Sequence, residues 1–127
     1  MPRPRIRRGF TLVELLVVLA IVALLLSIAV PRYVNRVERS KETMLRANLA
    51  LTRHLLDQFY EDNGKYPDAL DDLVNNKYMR RLPIDPVTGS SSTWILVPPP
   101  EPAQGAVFDV HSGATGNGLD GTPYGEW

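Results

Sequence analysis

Few side chains in this sequence are placed where they could do chemistry. Two carboxylate pairs, Glu61-Asp62 and Asp71-Asp72, have the residue types used in acid and base catalysis. Neighbouring residues on a helix or turn point away from each other, so neither pair predicts a catalytic dyad. His54 and His111 have no metal-ligand spacing, and the chain contains no cysteine. Because nucleotide-binding and nucleophile-elbow motifs are also absent, the sequence predicts a protein that is not an enzyme.

One carboxylate stands in an unusual place. Glu14 lies near the start of a 21-residue run, residues 10–30, in which the other polar residues are Thr11 and Ser27. As a helix this run would span roughly 31 Å, about the hydrocarbon thickness of a bilayer. Its apolar side chains favour insertion by roughly 5 to 9 kcal/mol, which outweighs the cost of one acid, at most about 3 kcal/mol. The run therefore predicts a transmembrane helix, and an acid inside such a helix usually has a partner.

The charges around this run predict its orientation. Arg3, Arg5, Arg7 and Arg8 precede it, whereas Arg32 alone follows directly. This asymmetry predicts a cytoplasmic N-terminus and a C-terminal part outside the cytoplasm. The whole chain has 14 basic and 14 acidic residues, so the part after residue 9 is mildly acidic. An acidic domain does not favour nucleic acid as a partner.

Two simpler interpretations of the run stay open. A secretory signal would end at the small-x-small sequence Ser27-Ile28-Ala29, with cleavage before Val30. The length of the run and its acid argue against that interpretation. A simple membrane anchor is the other alternative, and it leaves Glu14 without a partner.

The motif around Glu14 is highly specific. The sequence Gly9-Phe10-Thr11-Leu12-Val13-Glu14, after a basic leader and before an unbroken apolar run, closely resembles the signal of type IV pilins and type II secretion pseudopilins. The resemblance implies that a prepilin peptidase cuts between Gly9 and Phe10 and N-methylates Phe10. It also implies that the new Phe10 amine pairs with Glu14 of a neighbouring subunit, which makes Glu14 an assembly residue.

The rest of the sequence predicts a small domain on a long helix. Pro31, predicted together with Glu14 to take part in assembly, should bend the helix, which continues to residue 62 and stops at Asn63-Gly64. The continued helix is amphipathic: its apolar stripe is formed by Val34, Val37, Met44, Leu45, Leu49, Leu55, Leu56, Phe59 and Tyr60. Charged residues, which include Glu42, Arg46 and Arg53, are expected on the other, solvent face. Asp68 is expected to cap a short helix, and residues 93–97 and 106–110 are expected to be strands separated by a proline-rich loop. The predicted fold is α+β: a long bent N-terminal helix, half transmembrane and half amphipathic, packed on a small antiparallel sheet as in type IV pilins. The predicted divisions are a leader at residues 1–9, a transmembrane or filament-core helix at 10–30, and a periplasmic head at 31–127.

Later motifs narrow the resemblance. The stretches NGKYP and RRLPIDPVTG and the final tryptophan are similar to the major pseudopilin of type II secretion. The lack of cysteine agrees with this branch, because type IVa pilins commonly close their C-terminal region with a disulfide.

The resemblance also raises calcium as a candidate ligand. Major pseudopilins bind it in the C-terminal loop, and calcium requires six to eight oxygen ligands. The residues here that offer such oxygens are Asp109, Ser112, Asn117, Asp120 and Glu126. The adjacent aspartate pair that the family places before its final tryptophan is replaced by TPYGEW. The sequence therefore favours a loop held by hydrogen bonds and aromatic packing, with calcium as the alternative.

These observations predict a structural subunit that polymerises into the periplasmic pseudopilus of a type II secretion system and drives export of folded proteins. The implied partners are further copies of the chain, minor pseudopilins, the prepilin peptidase and an inner-membrane assembly platform. The implied location is the bacterial inner membrane, crossed once, and then the periplasmic filament. A type IV pilin or minor pilin is the alternative in the same class, and a membrane-anchored monomeric binding domain is the alternative in another class.

Overall fold

The structure is a computed structural model that describes residues 1–5 and 8–127. Helix α1 spans Leu12–Asn63, helix α2 spans Asp72–Asn75, strand β1 spans Ile95–Val97, strand β2 spans Asp109–His111, and a 3-10 helix spans Tyr124–Glu126. Arg7 of the predicted basic leader lies outside the described residues. The elements divide between two compact units, Met1–Val37 and Glu38–Trp127, and they give the predicted α+β, pilin-like fold.

The first unit contains the apolar part of α1. Among the described residues, α1 is the one helix long and apolar enough to cross a membrane, with a mean hydropathy of 3.0 in its most apolar window. None of that window is buried within the chain. Pro31 lies inside the helix, which continues through it. The helical part of this unit therefore exposes a long apolar surface, as the hydropathy of the sequence predicts.

The second unit has its core along one stripe of α1. Leu45, Leu49, Leu56 and Phe59 are buried there, and their spacing of three, four and seven residues places them on one helical face. They pack in one cluster with apolar side chains from the rest of the unit, which are Leu70, Leu73, Trp94, Val107, Val110 and Tyr124. Met44 and Tyr60, predicted to belong to the stripe, are 54% and 39% exposed because they lie to its sides.

The sheet is shorter than predicted. Antiparallel β1 and β2 pair Leu96 with Val110 at their centre. The second strand begins at Asp109 rather than at residue 106, because the Ala106 and Val107 amides both donate to the Pro67 carbonyl, each at 3.0 Å. The proline-rich loop between the strands is where the sequence placed it.

The end of α1 follows the predicted stop. Gly64 has a φ of +70°, and its amide donates to the Tyr60 carbonyl at 2.8 Å, which is a left-handed C-terminal cap. The prediction that Asp68 caps α2 is wrong. The Asp72 carboxylate instead accepts the amides of Asp68 and Ala69, at 3.1 and 3.2 Å, so this segment is a turn and α2 begins four residues later.

Candidate functional site

The residues of the N-terminal motif share one surface. Gly9, Phe10 and Glu14 line an open groove of about 290 Å³ together with Arg8. The Phe10 side chain is 87% exposed. Because α1 begins at Leu12, the Gly9–Phe10 peptide bond lies outside the helix, and a peptidase could reach it without unwinding a turn.

Thr11 fixes the start of the helix beside Glu14. The Thr11 side-chain oxygen accepts the Glu14 amide at 3.1 Å, and the Thr11 carbonyl accepts the Leu15 amide at 3.1 Å. Threonine is thus an N-cap, with Glu14 in the first turn. The positive end of the helix dipole favours a carboxylate at this position. Removal of residues 1–9 would place a cationic amine four residues before it.

Pro31, the other predicted assembly residue, is exposed in the interior of α1. It has no amide hydrogen, so one carbonyl of the preceding turn lacks its helical donor. Its place is 17 residues after Glu14 in the sequence.

The five candidate calcium ligands point to different partners. The Asp109 carboxylate accepts from Arg53 Nε at 2.6 Å, and the Ser112 hydroxyl donates to the buried Asp85 carboxylate at 2.5 Å. Asn117 lies in an isolated bridge with Pro123, and Glu126 is exposed.

The remaining candidate, Asp120, is also engaged. One of its oxygens accepts the amide and the hydroxyl of Thr122, at 3.0 and 2.6 Å, and the other accepts Arg46 at 3.2 Å. The Thr122 hydrogen bonds, more than the nearby Arg46 charge, lower the pKa of Asp120 below its ordinary value. Within residues 1–5 and 8–127, no three His, Cys, Asp or Glu side chains form a group that could hold a metal. The arrangement therefore does not fit a calcium ion at these five residues.

Three charged residues of α1 contact the C-terminal loop, here residues 109–127. The Glu42 carboxylate accepts the Leu119 amide at 2.6 Å and the Tyr124 hydroxyl at 3.2 Å. Burial and the hydrogen bond to Glu42 raise the pKa of Tyr124. Arg46 and Arg53 bind other groups of the same loop.

Sequence reasoning placed Glu42, Arg46 and Arg53 on the solvent face, and for Glu42, which is only 9% exposed, that was wrong. Their spacing of four and seven residues is the available signal, because it matches the core stripe. Because these residues are charged, their spacing was not interpreted as a sign of contact with the rest of the unit.

The remaining acidic, histidine and tyrosine side chains singled out in the sequence lie outside the N-terminal motif and the five candidate calcium ligands, apart from His111, which lies among those ligands in the sequence. Asp62 accepts the Tyr78 hydroxyl at 2.6 Å, which raises the pKa of that tyrosine. His111 Nδ1 lies 2.7 Å from the Trp127 main-chain oxygen, and His54 is exposed. Tyr66 stacks on Tyr60, with ring centroids 4.6 Å apart. Asp62, Tyr78, His111 and Tyr66 therefore have partners within the chain.

Comparison with known proteins finds matches both to the N-terminal motif and to most of the chain. The model of the prokaryotic N-terminal methylation motif matches residues 4–30. Type II secretion system core protein G of Klebsiella pneumoniae is 30% identical over 92% of this chain and 88% of its own length. The protein of the same name from Escherichia coli strain K12 is 32% identical over 75% of this chain and 74% of its own length. Type IV major pilin protein PilA of Myxococcus xanthus is 33% identical, over 52% of this chain and 30% of its own length. No solved structure matches.

Proposed function

The chain belongs to the family of type II secretion system core protein G, and we propose that it polymerises into a periplasmic pseudopilus whose growth drives export of folded proteins. The main support is the exposed apolar half of α1 with its single carboxylate, Glu14. That surface has two environments in which it is stable, the bilayer and the core of a filament. The subunit is stored in the bilayer and moves into the core of the filament on assembly.

Processing prepares this transfer. A prepilin peptidase cleaves between Gly9 and Phe10 and methylates the Phe10 amine, and the accessible bond before α1 and the matching methylation motif support this step. The leader stays on the cytoplasmic side with its arginines, and the head lies in the periplasm.

Glu14 sets the position of each subunit in the filament. The Phe10 amine of one subunit pairs with Glu14 of its neighbour, so that neither charge is left alone among apolar side chains. At about 4 Å and an effective dielectric constant of about 20, the pair gains roughly 4 kcal/mol before the cost of desolvation. A shifted subunit loses this gain.

Minor pseudopilins and an inner-membrane assembly platform complete the machine, and a cytoplasmic ATPase drives it. A type IV pilin is the competing assignment, and the similarity to PilA supports it. That match covers 30% of PilA, whereas the match to the core protein G of Klebsiella pneumoniae covers 88%. The difference favours a secretion filament.

Replacing Glu14 by alanine tests the proposal. In cells that carry the native secretion genes, E14A should be inserted and processed, yet its subunits should not cross-link into filaments and exoprotein secretion should be lost. The matched control is E61A, which removes an exposed acid near the other end of α1. Normal secretion and filament formation by E14A would contradict the role of Glu14.

A further inference from the structure

We propose that Arg46 and Arg53 of α1 close the C-terminal loop in place of a metal ion, so that the chain reaches its native fold without calcium. This closure stabilises the second unit, so it can be tested without secretion or filament assembly. It follows from the disagreement between the five candidate ligands and a calcium site.

Arg53 has the most complete set of contacts. Its Nε donates to Asp109 Oδ1 at 2.6 Å, and its Nη2 donates to the main-chain oxygens of Val110 at 3.0 Å and Trp127 at 2.7 Å. One guanidinium therefore ties strand β2 to the end of the loop, since Val110 and Trp127 are 17 positions apart in the sequence. The acceptors are the Asp109 carboxylate and the main-chain oxygens of Val110 and Trp127, and oxygen atoms of these kinds are the ligands that calcium takes.

Arg46 makes a second, more exposed closure. Its guanidinium carbon lies 3.9 Å from the centroid of the Trp127 ring, and its Nη2 lies 3.2 Å from Asp120 Oδ2. The Arg46 and Asp120 side chains are 58% and 49% exposed, against 37% and 27% for Arg53 and Asp109. Exposed ion pairs contribute little, so Arg53 should dominate and Arg46 should assist by packing on the tryptophan.

The helix places these groups together. Glu42, Arg46 and Arg53 lie within about 40° of one another around a helix of 3.6 residues per turn. Glu42 binds the middle of the loop through Leu119 and Tyr124. The two arginines bind the loop carboxylates of Asp109 and Asp120. A divalent cation at Asp109 or Asp120 would meet a guanidinium already bound to that carboxylate, and like charges repel.

The first test is calcium dependence of the melting temperature. The full-length chain in detergent would be melted in EDTA and in saturating calcium, with near-UV circular dichroism as the signal and magnesium as the ionic control. We expect the same Tm in all three. A specific site with calcium at about one hundred times its Kd would instead raise Tm by roughly 10 °C or more, and that result would overturn the proposal.

The second test uses arginine variants in EDTA. R53A should lower Tm by several degrees, R53K should recover part of the loss because lysine keeps the charge but not the fork, and R46A should cost less than R53A. R39A, at an exposed position of α1, is the matched control and should melt like the parent chain.

If R53A does not fold, the Tm of R46A and the melting of the parent chain in EDTA still test the arginine closure. An R53A or R46A variant that melts like R39A, or a parent chain that unfolds in EDTA, would overturn the arginine closure. If Glu14 proved to have no role in assembly, the arginine closure would still stand.

Discussion

Two glutamates of α1 satisfy their carboxylates in different ways. Glu42 is 9% exposed, and the loop of its own chain supplies its two donors. Glu14 is exposed in an apolar surface, and under the proposed function its partner comes from another subunit. The first glutamate stabilises a fold and the second, under the same proposal, specifies an assembly, although both lie on one helix.

Asp85 shows how much one buried acid can organise. It is fully buried. Its Oδ1 accepts the Val87 amide at 2.8 Å, and its Oδ2 accepts the Ser112 hydroxyl at 2.5 Å. The first contact is an Asx turn, and the second fastens that turn to the segment after β2. A carboxylate with these donors joins two loops across 27 residues of sequence.

Replacing Asp85 by alanine should therefore destabilise the chain strongly. D85A leaves a buried hydroxyl and at least one amide without an acceptor, at about 3 kcal/mol in total. Urea unfolding of the detergent-solubilised chain would measure the loss, and D85N should lose less because its amide oxygen can still accept. Equal stability of D85A and D68A, a control at an exposed aspartate, would show that Asp85 has no such role.

Among the helices and strands, the features that could be predicted from the sequence are those that depend on local residues. The stripe through Leu45, Leu49 and Leu56 and the stop at Gly64 were predictable because each depends on residues near one another in sequence. The start of β2 was not, because Pro67 removes the amides of Ala106 and Val107 from the ladder. The contacts of Arg46 and Arg53 were also unpredictable, because their partners lie up to 74 residues away.

The C-terminal loop provides a test of its own packing. A Cβ on Gly118 would lie 2.3 Å from Trp127 Cζ2, and the Trp127 indole is fixed by its bond to the Thr122 hydroxyl at 2.7 Å. G118A should displace the ring, lower Tm by several degrees and change the tryptophan fluorescence spectrum.

G125A is the matched control for this change. The nearest atom to a Cβ on Gly125 is the Ser112 main-chain oxygen at 3.9 Å, which is an ordinary van der Waals contact, so the variant should keep both the Tm and the spectrum. If G118A behaves like G125A, the tryptophan is not held against Gly118 in solution.

The whole chain combines a long exposed apolar surface with a unit that folds around a modest core. The first unit exposes nearly all of its apolar side chains. The second buries its own apolar residues and leaves most of its charges outside. Under the proposed function this division is required, because the head must stay folded while the apolar helix passes from the membrane into the filament.

The most direct test of the filament function is the mass of the mature N-terminus. Protein would be extracted from membranes of cells that contain the native processing machinery, and its intact mass and N-terminal peptide would be measured by mass spectrometry. We expect a chain that begins at N-methylated Phe10, with Glu14 as its fifth residue. A chain that begins at Val30 would have lost Glu14 to a secretory signal, and a chain that keeps residues 1–9 would never expose the Phe10 amine. Either result would contradict the proposed assembly.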